Sequence, residues 1–175
     1  MSDITVRALG EDEWEQYRAA RLNALEESPE AFAASLSEEQ GYDEDFWRTR
    51  MRRSQRLLAE DADGRSIGVA SVGQGRQDNE RIAELFGLWV TPAARGTGVA
   101  TQLVQAGADA AREQGRSHLA YWVGSDNGRA VAFASGFGFR PTDNRRPMRV
   151  QGEDGAEDEI AMVLPLGEDR GDASL

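Results

Sequence analysis

Cysteine and lysine are both missing from this 175-residue chain, and histidine occurs once, as His118. Without cysteine there is no disulfide framework, no thiolate nucleophile and no cysteine metal site. One histidine leaves no multi-histidine metal site, so no metal is expected. Without lysine the Gly-Lys-Ser/Thr end of a P-loop cannot be made. No apolar run approaches the roughly 20 residues that cross a bilayer, and the Met1 region lacks a charged-then-apolar leader. A cytoplasmic protein with no membrane partner is therefore expected.

Positive charge is scarce as well. Twenty arginines face 31 acidic residues, for a net charge of −11. Solubility and genome composition suffice to explain that balance, but it has consequences. Nucleic acid would be repelled and is not expected as a partner, whereas cationic amines would be steered inward. An anionic cofactor would have to be captured by local positive potential, against the global field.

What the chain does contain is enough apolar material for a core, 39% of residues, spread along its length. One domain is expected over residues 1–166, followed by a polar, frayed tail over 167–175. Ile4 to Leu9 alternates as a strand closed by Gly10. Trp14, Tyr17, Leu22 and Leu25 recur at helical spacing between Glu11 and Glu27, and Ser28-Pro29 ends that helix. Pro29 to Phe32 could open a short second helix capped by Ser28. A third passes through Phe46, Trp47 and Met51.

Gln55–Glu60 and Ile67–Val72 read as strands joined by the turn Asp61-Ala62-Asp63-Gly64. Arg81–Val90 is the longest strand, stopped by Pro92. Val99, Leu103, Val104, Ala108 and Ala111 form a helical stripe between Gly98 and Gln114, and Gly115 ends it. Ser117–Val123 is a strand, Asn127–Phe137 a helix, and extended stretches follow near Phe139-Arg140 and Ile160–Leu166. This order predicts an α/β fold with a mixed sheet of six to seven strands flanked by helices.

One stretch carries functional weight: Leu88-Trp89-Val90-Thr91-Pro92-Ala93-Ala94-Arg95-Gly96-Thr97-Gly98-Val99-Ala100. A strand leads through a short loop into a helix, whose first amides lack partners and whose dipole favours phosphate. Gly96 and Gly98 clear side chains from the approach, and Arg95 offers a donor fork. A dinucleotide fingerprint does not fit, because it needs three glycines and a later acidic residue. By itself, a Gly-x-Gly turn before a helix serves structure as readily as binding.

Arg-x-x-Gly-x-Ala after an apolar strand ending Val-x-Pro resembles the acetyl-CoA signature of the GNAT superfamily of N-acetyltransferases. Downstream, Tyr121-Trp122-Val123, then Asn127-x-x-Ala130-x-x-Phe133, then Gly138-Phe139 is similar to that family's second motif, Asn-x-x-Ala-x-x-Leu-Tyr followed by Gly-Phe. Leu25 to Phe32 resembles the N-terminal helical region of one bacterial branch. The resemblance spans residues 3 to 166.

It implies a V-shaped splay between the strands ending at Val90 and Val123, with pantetheine in the gap. Backbone groups of Leu88, Trp89 and Val90 would bind the pantetheine amides and the oxyanion. Arg95, Gly96, Thr97, Gly98, Val99, Ala100 and Thr101 would hold the pyrophosphate of acetyl-CoA. Asn127 would help fix the cofactor arm, besides capping its helix, and Phe133 would wall the cofactor or fill the core. Glu84, in Ile82-Ala83-Glu84-Leu85-Phe86, is the candidate base that takes the proton of an attacking primary amine on a small molecule, peptide or protein.

The sequence departs from the family at Ala134, where a tyrosine usually protonates the departing thiolate. Ser135, Tyr121 or water could substitute. The departure leaves open a non-catalytic acyl-CoA-binding module. His118 is expected to face solvent, Trp14, Trp47 and Trp122 to pack, and Arg145-Arg146 to lie on a solvated loop. A homodimer is possible.

Overall fold

The computed structural model describes residues 3–29, 32, 34–74, 81–147 and 158–167. Its strands form one seven-stranded mixed sheet in the order β1-β2-β3-β4-β5-β7-β6. These are β1 (Thr5–Leu9), β2 (Gln55–Glu60), β3 (Ser66–Gln74), β4 (Ile82–Val90), β5 (His118–Gly124), β6 (Arg140–Pro147) and β7 (Asp158–Pro165). The helices are α1 (Trp14–Glu27), α2 (Leu36–Gln40), α3 (Glu44–Arg53), α4 (Val99–Glu113) and α5 (Gly128–Phe137). The residues group into two compact units, 1–73 with 87–107, and 74–86 with 108–175.

In the first unit β1, β2 and β3 run antiparallel. The turn between β2 and β3 forms where its composition places it. The Asp61 carboxylate accepts from the amides of Asp63 and Arg65, and Gly64 takes φ 81. Leu9, Tyr17, Ala20, Ala24, Trp47, Met51, Leu58, Val69 and Trp89 make the core. The buried stripe of α1 thus runs through alanines as well as Tyr17 and Leu25, while Trp14 and Leu22 pack at its margin.

Ser28 terminates α1, its N–H bonded to the Ala24 carbonyl. Its hydroxyl accepts from Trp89 Nε1 at 3.1 Å and from Arg95 Nη2 at 3.4 Å, and Pro29 just after it lies in a 3-10 turn, its carbonyl accepting from Phe32 N at 3.4 Å. Of the helix expected over Pro29 to Phe32, Glu30 and Ala31 lie outside the described residues. The next described helix is α2, capped by Ser35, whose side chain accepts from Glu38 N. The polar tail beyond Gly167 also lies outside them.

Gly68 on β3 explains why that strand tolerates a residue with poor β propensity. A Cβ there would meet Leu103 Cδ1 and Val99 Cγ1 at 3.0 Å and the Trp89 carbonyl at 3.1 Å. Side chains at the start of α4 can give a little; a strand carbonyl cannot. We expect Gly68→Ala to cost about 1–3 kcal/mol through overpacking, measured as a lower urea midpoint at unchanged m-value.

In the second unit β4 runs parallel to β5, with Glu84 opposite Ala120 and Leu85 opposite Tyr121. β7 pairs antiparallel with both β5 and β6. Ala83, Leu85, Leu119, Ala120, Ala161 and Met162 are buried along these strands. The predicted apolar stripe of α4 is borne out, since Val99, Leu103, Val104, Ala108 and Ala111 are all buried.

Candidate active site

The strand–turn–helix segment sits where its sequence suggests. β4 ends at Val90, Pro92–Ala94 makes a single 3-10 turn, and α4 begins at Val99. Gly96 and Gly98 adopt φ 82 and φ 94, left-handed values that side-chain-bearing residues avoid. A Cβ at either position would meet nothing within 4 Å. The glycines are therefore required by backbone conformation, and the space beside them is open.

A helical bond across this turn runs from Gln102 N–H to the Gly98 carbonyl at 3.1 Å. The amides of Gly98, Val99, Ala100 and Thr101 precede it, in the positions where a helix has no internal acceptor to offer. No acidic residue occupies the first turn of α4, so the dipole's positive end is not neutralised there. Thr97 closes the loop by donating its hydroxyl to the Ala94 carbonyl.

Arg95 keeps its charge beside this turn by a specific anchor. Its Nε donates to the Val90 carbonyl at 2.9 Å while Nη2 reaches Ser28. Val99 and Trp89 turn their side chains into the core, whereas Arg95, Gly96, Thr97, Gly98 and Thr101 are exposed. Within β4, Gly87 takes φ 65 and breaks the extended run just before Leu88, Trp89 and Val90. A lone glycine inside a strand pattern was the signal for this kink.

The second unit holds the candidate base. Glu84 is buried at 8% exposure, which is unusual for glutamate without a partner. The partner is Arg146, whose Nη2 lies 3.7 Å from Glu84 Oε2. Arg146 Nε also donates to Glu159 Oε1 at 2.5 Å, and its guanidinium carbon sits 4.0 Å from the centre of the Trp122 ring. Arg146 thus lies on β6, against the expectation of a solvated loop, and Trp122 serves as its platform as well as packing.

Strand register explains the grouping. Glu84 pairs with Ala120, Trp122 with Ala161, and Arg146 with Glu159. Alternation along β5 and β7 puts all of these on one face. Small Ala120 and Ala161 leave that face open to the indole and the carboxylates. Burial pushes the Glu84 carboxyl up, Arg146 pulls it back, and Glu159 adds repulsion; the net direction is upward.

The sequence model of the Acetyltransferase (GNAT) family matches residues 9–139. The chain belongs to the GNAT acetyltransferase family.

Solved structures agree on the fold. An N-acetyltransferase from Staphylococcus aureus Mu50 is similar at TM-score 0.72 and 19% identity, over 94% of this chain and 99% of that one. The yncA protein of Salmonella typhimurium, solved with its cofactor acetyl-CoA, gives TM-score 0.69 and 22% identity over 94% and 95%. The ribosomal-protein-S18-alanine N-acetyltransferase from Escherichia coli gives 0.68 and 21% over 94% of each. At such identities the likeness concerns architecture. No curated protein matches the chain significantly.

The protein is thus an N-acetyltransferase, moving an acetyl group from acetyl-CoA to an amine. Its remaining motif residues lie on and around α5. Asn127 caps this helix, its Oδ1 accepting from Ala130 N at 3.1 Å. Phe133 is half-buried on it. Ala134 is fully buried, and its carbonyl accepts from the amides of Gly138 and Phe139. A tyrosine at that position would have to displace its neighbours.

Among the other thiolate-acid candidates, Ser135 is exposed. Tyr121 is half-buried, edge-on to Phe139 at 6.0 Å, on the sheet face opposite Glu84. Burial raises its phenol, which keeps the hydroxyl protonated. His118 is half-buried, with Nδ1 2.8 Å from Ser117 Oγ.

Proposed function

We propose that this acetyltransferase acetylates a primary amine of a small molecule, peptide or protein by direct attack, with Glu84 as the base. The amine nitrogen bonds to the thioester carbonyl carbon while its proton passes to Glu84, directly or through a water. The tetrahedral intermediate then collapses, the carbon–sulfur bond breaks, and the thiolate leaves with a proton from solvent. A thiol pKa near 8.5 makes that departure tolerable without a dedicated acid. Backbone groups of Leu88, Trp89 and Val90 serve the pantetheine and the oxyanion. Gly96 to Thr101 hold the pyrophosphate with their amides, aided by the charge of Arg95. Asn127 and Phe133 support the cofactor arm.

The observation that carries this reading is the start of α4: amides without helical acceptors, two left-handed glycines beside open space, and no competing carboxylate. The test combines binding with turnover. CoA at 100-fold excess over its Kd should stabilise the fold by about 2.7 kcal/mol, and acetyl-CoA with a panel of primary amines should release thiol. Gly98→Val, which forces a branched side chain into φ 94, should weaken CoA binding at least about tenfold, or ~1.4 kcal/mol. Unchanged affinity in that variant would remove the pyrophosphate seat from α4.

Ala134 favours a second reading, an acyl-CoA-binding module without turnover. It predicts the same stabilisation by CoA with no thiol release from any amine. Because Ala134 is closed in, thiol release by the native chain separates the readings better than an installed tyrosine.

A further inference from the structure

Resting on Glu84 as the base, we infer that Arg146 and Glu159 are positioning residues which hold the Glu84 carboxylate ready for proton transfer from opposite sides of its charge balance. The geometry gives each group a separate job. Arg146 is fixed in three ways: by its backbone register on β6 opposite Glu159, by the Nε hydrogen bond to that carboxylate, and by lying over Trp122. A guanidinium so constrained cannot swing onto Glu84. Its Nη2 stops at 3.7 Å, close enough for Coulomb attraction but long for a good hydrogen bond.

That separation suits a base. A carboxylate locked into a short bidentate pair spends its lone pairs on arginine and loses basicity. One buried with no cation nearby takes up a proton and can accept none. Glu84 lies between these extremes, and Glu159 sets the distance by competing for the same guanidinium. Glu159 also repels Glu84, so its two effects on the base act in one direction. Farther along the same face His118 sits opposite Ile82, with its Nδ1 engaged by Ser117. Among the described residues the charged neighbours that act on Glu84 are Arg146 and Glu159.

The two positioning residues therefore carry opposite signatures. Arg146→Met keeps most of the stem's packing on Trp122 and removes the charge. The acidic limb of its kcat/KM profile should move to higher pH by roughly one pH unit. Glu159→Gln removes the repulsion and releases Arg146 toward Glu84, so its limb should move to lower pH. Arg146→Lys keeps a charge without the planar fork and should fall between native and Arg146→Met.

Carbon-13 titration of the glutamate carboxyls, with Glu84 assigned by its loss in Glu84→Gln, reads the same shifts without turnover. It also serves as the check if Arg146→Met folds poorly, because Arg146→Lys and Glu159→Gln remain available. Opposite displacement of the Glu84 titration in the arginine and glutamate variants supports the inference. Displacement in one direction, or none, overturns it. If Glu84→Gln itself leaves the acidic limb in place, the base assignment fails separately, while the titration still judges the coupling.

Discussion

Glu84→Gln should lower kcat by roughly 10²–10⁴-fold, the usual worth of a positioned base, while leaving CoA binding close to native. The reason is specific to this carboxylate. The acceptor amine is mostly protonated at neutral pH, and glutamine offers an amide that cannot take its proton. Stability should move the other way. Burial raises the folded-state pKa of Glu84, so the native state holds its proton more tightly than the unfolded chain does. The sign follows from linkage: stability is greatest below the unfolded glutamate pKa and is lost as pH rises through the raised folded value. Glutamine removes that loss, so the variant should melt at least as high as native at pH 8. Arg146 keeps Glu159 as its partner in the variant. Parallel kcat measurements and melting curves across pH check both halves. Near-native turnover would take the base role from Glu84.

The second large effect concerns folding and lies far along the sequence from the chemistry. Glu39 on α2 is 2% exposed and receives four arginine hydrogen bonds, two each from Arg21 on α1 and Arg50 on α3. Arg50 also sits over the rings of Trp47 and Phe46, at 5.0 and 5.1 Å. One carboxylate thereby ties a five-residue helix, too short to be stable alone, to two longer ones. Glu39→Gln should cost roughly 3 kcal/mol, because two half-buried guanidiniums lose their counter-charge together. For a chain of this size that lowers Tm by roughly 6–12 °C.

The pH dependence is opposite to that of Glu84. Burial by itself would raise the Glu39 carboxyl, but the hydrogen bonds from Arg21 and Arg50 reverse it, and the net direction is downward. Its contribution is present above the ordinary glutamate pKa, near 4.3, and is lost as pH falls through the depressed folded value. Native protein should therefore lose stability on acidification more steeply than Glu39→Gln. Parallel acid-unfolding curves for the two proteins would refute the network as the source.

The turn proposed to bind the cofactor was legible because it is local. A strand, a turn and a helix start are consecutive in sequence, and left-handed backbone demands glycine wherever it occurs, so Gly96 and Gly98 announce the turn without knowledge of the rest. The capping of α5 by Asn127 was legible for the same reason: acceptor and amide lie three residues apart. Helical stripes and alternating strands gave the order of elements, since burial of one face imposes its period on the chain.

What the tertiary structure alone decided lies at long range. Arg146 reads as one of a charged pair after a turn, and nothing nearby in sequence marks it. Its meaning comes from strand register, which brings residues 84, 122, 146 and 159 onto one face. Nothing near Ser28 in sequence marks its hydroxyl as the acceptor for Trp89, 61 positions away. Glu39 shows no pattern that distinguishes it from its acidic neighbours Glu38 and Asp43, yet it alone of these is buried. Backbone geometry is written in the residues that adopt it. The partner of a charge depends on which strands and helices come to lie side by side, and that is a property of the folded chain.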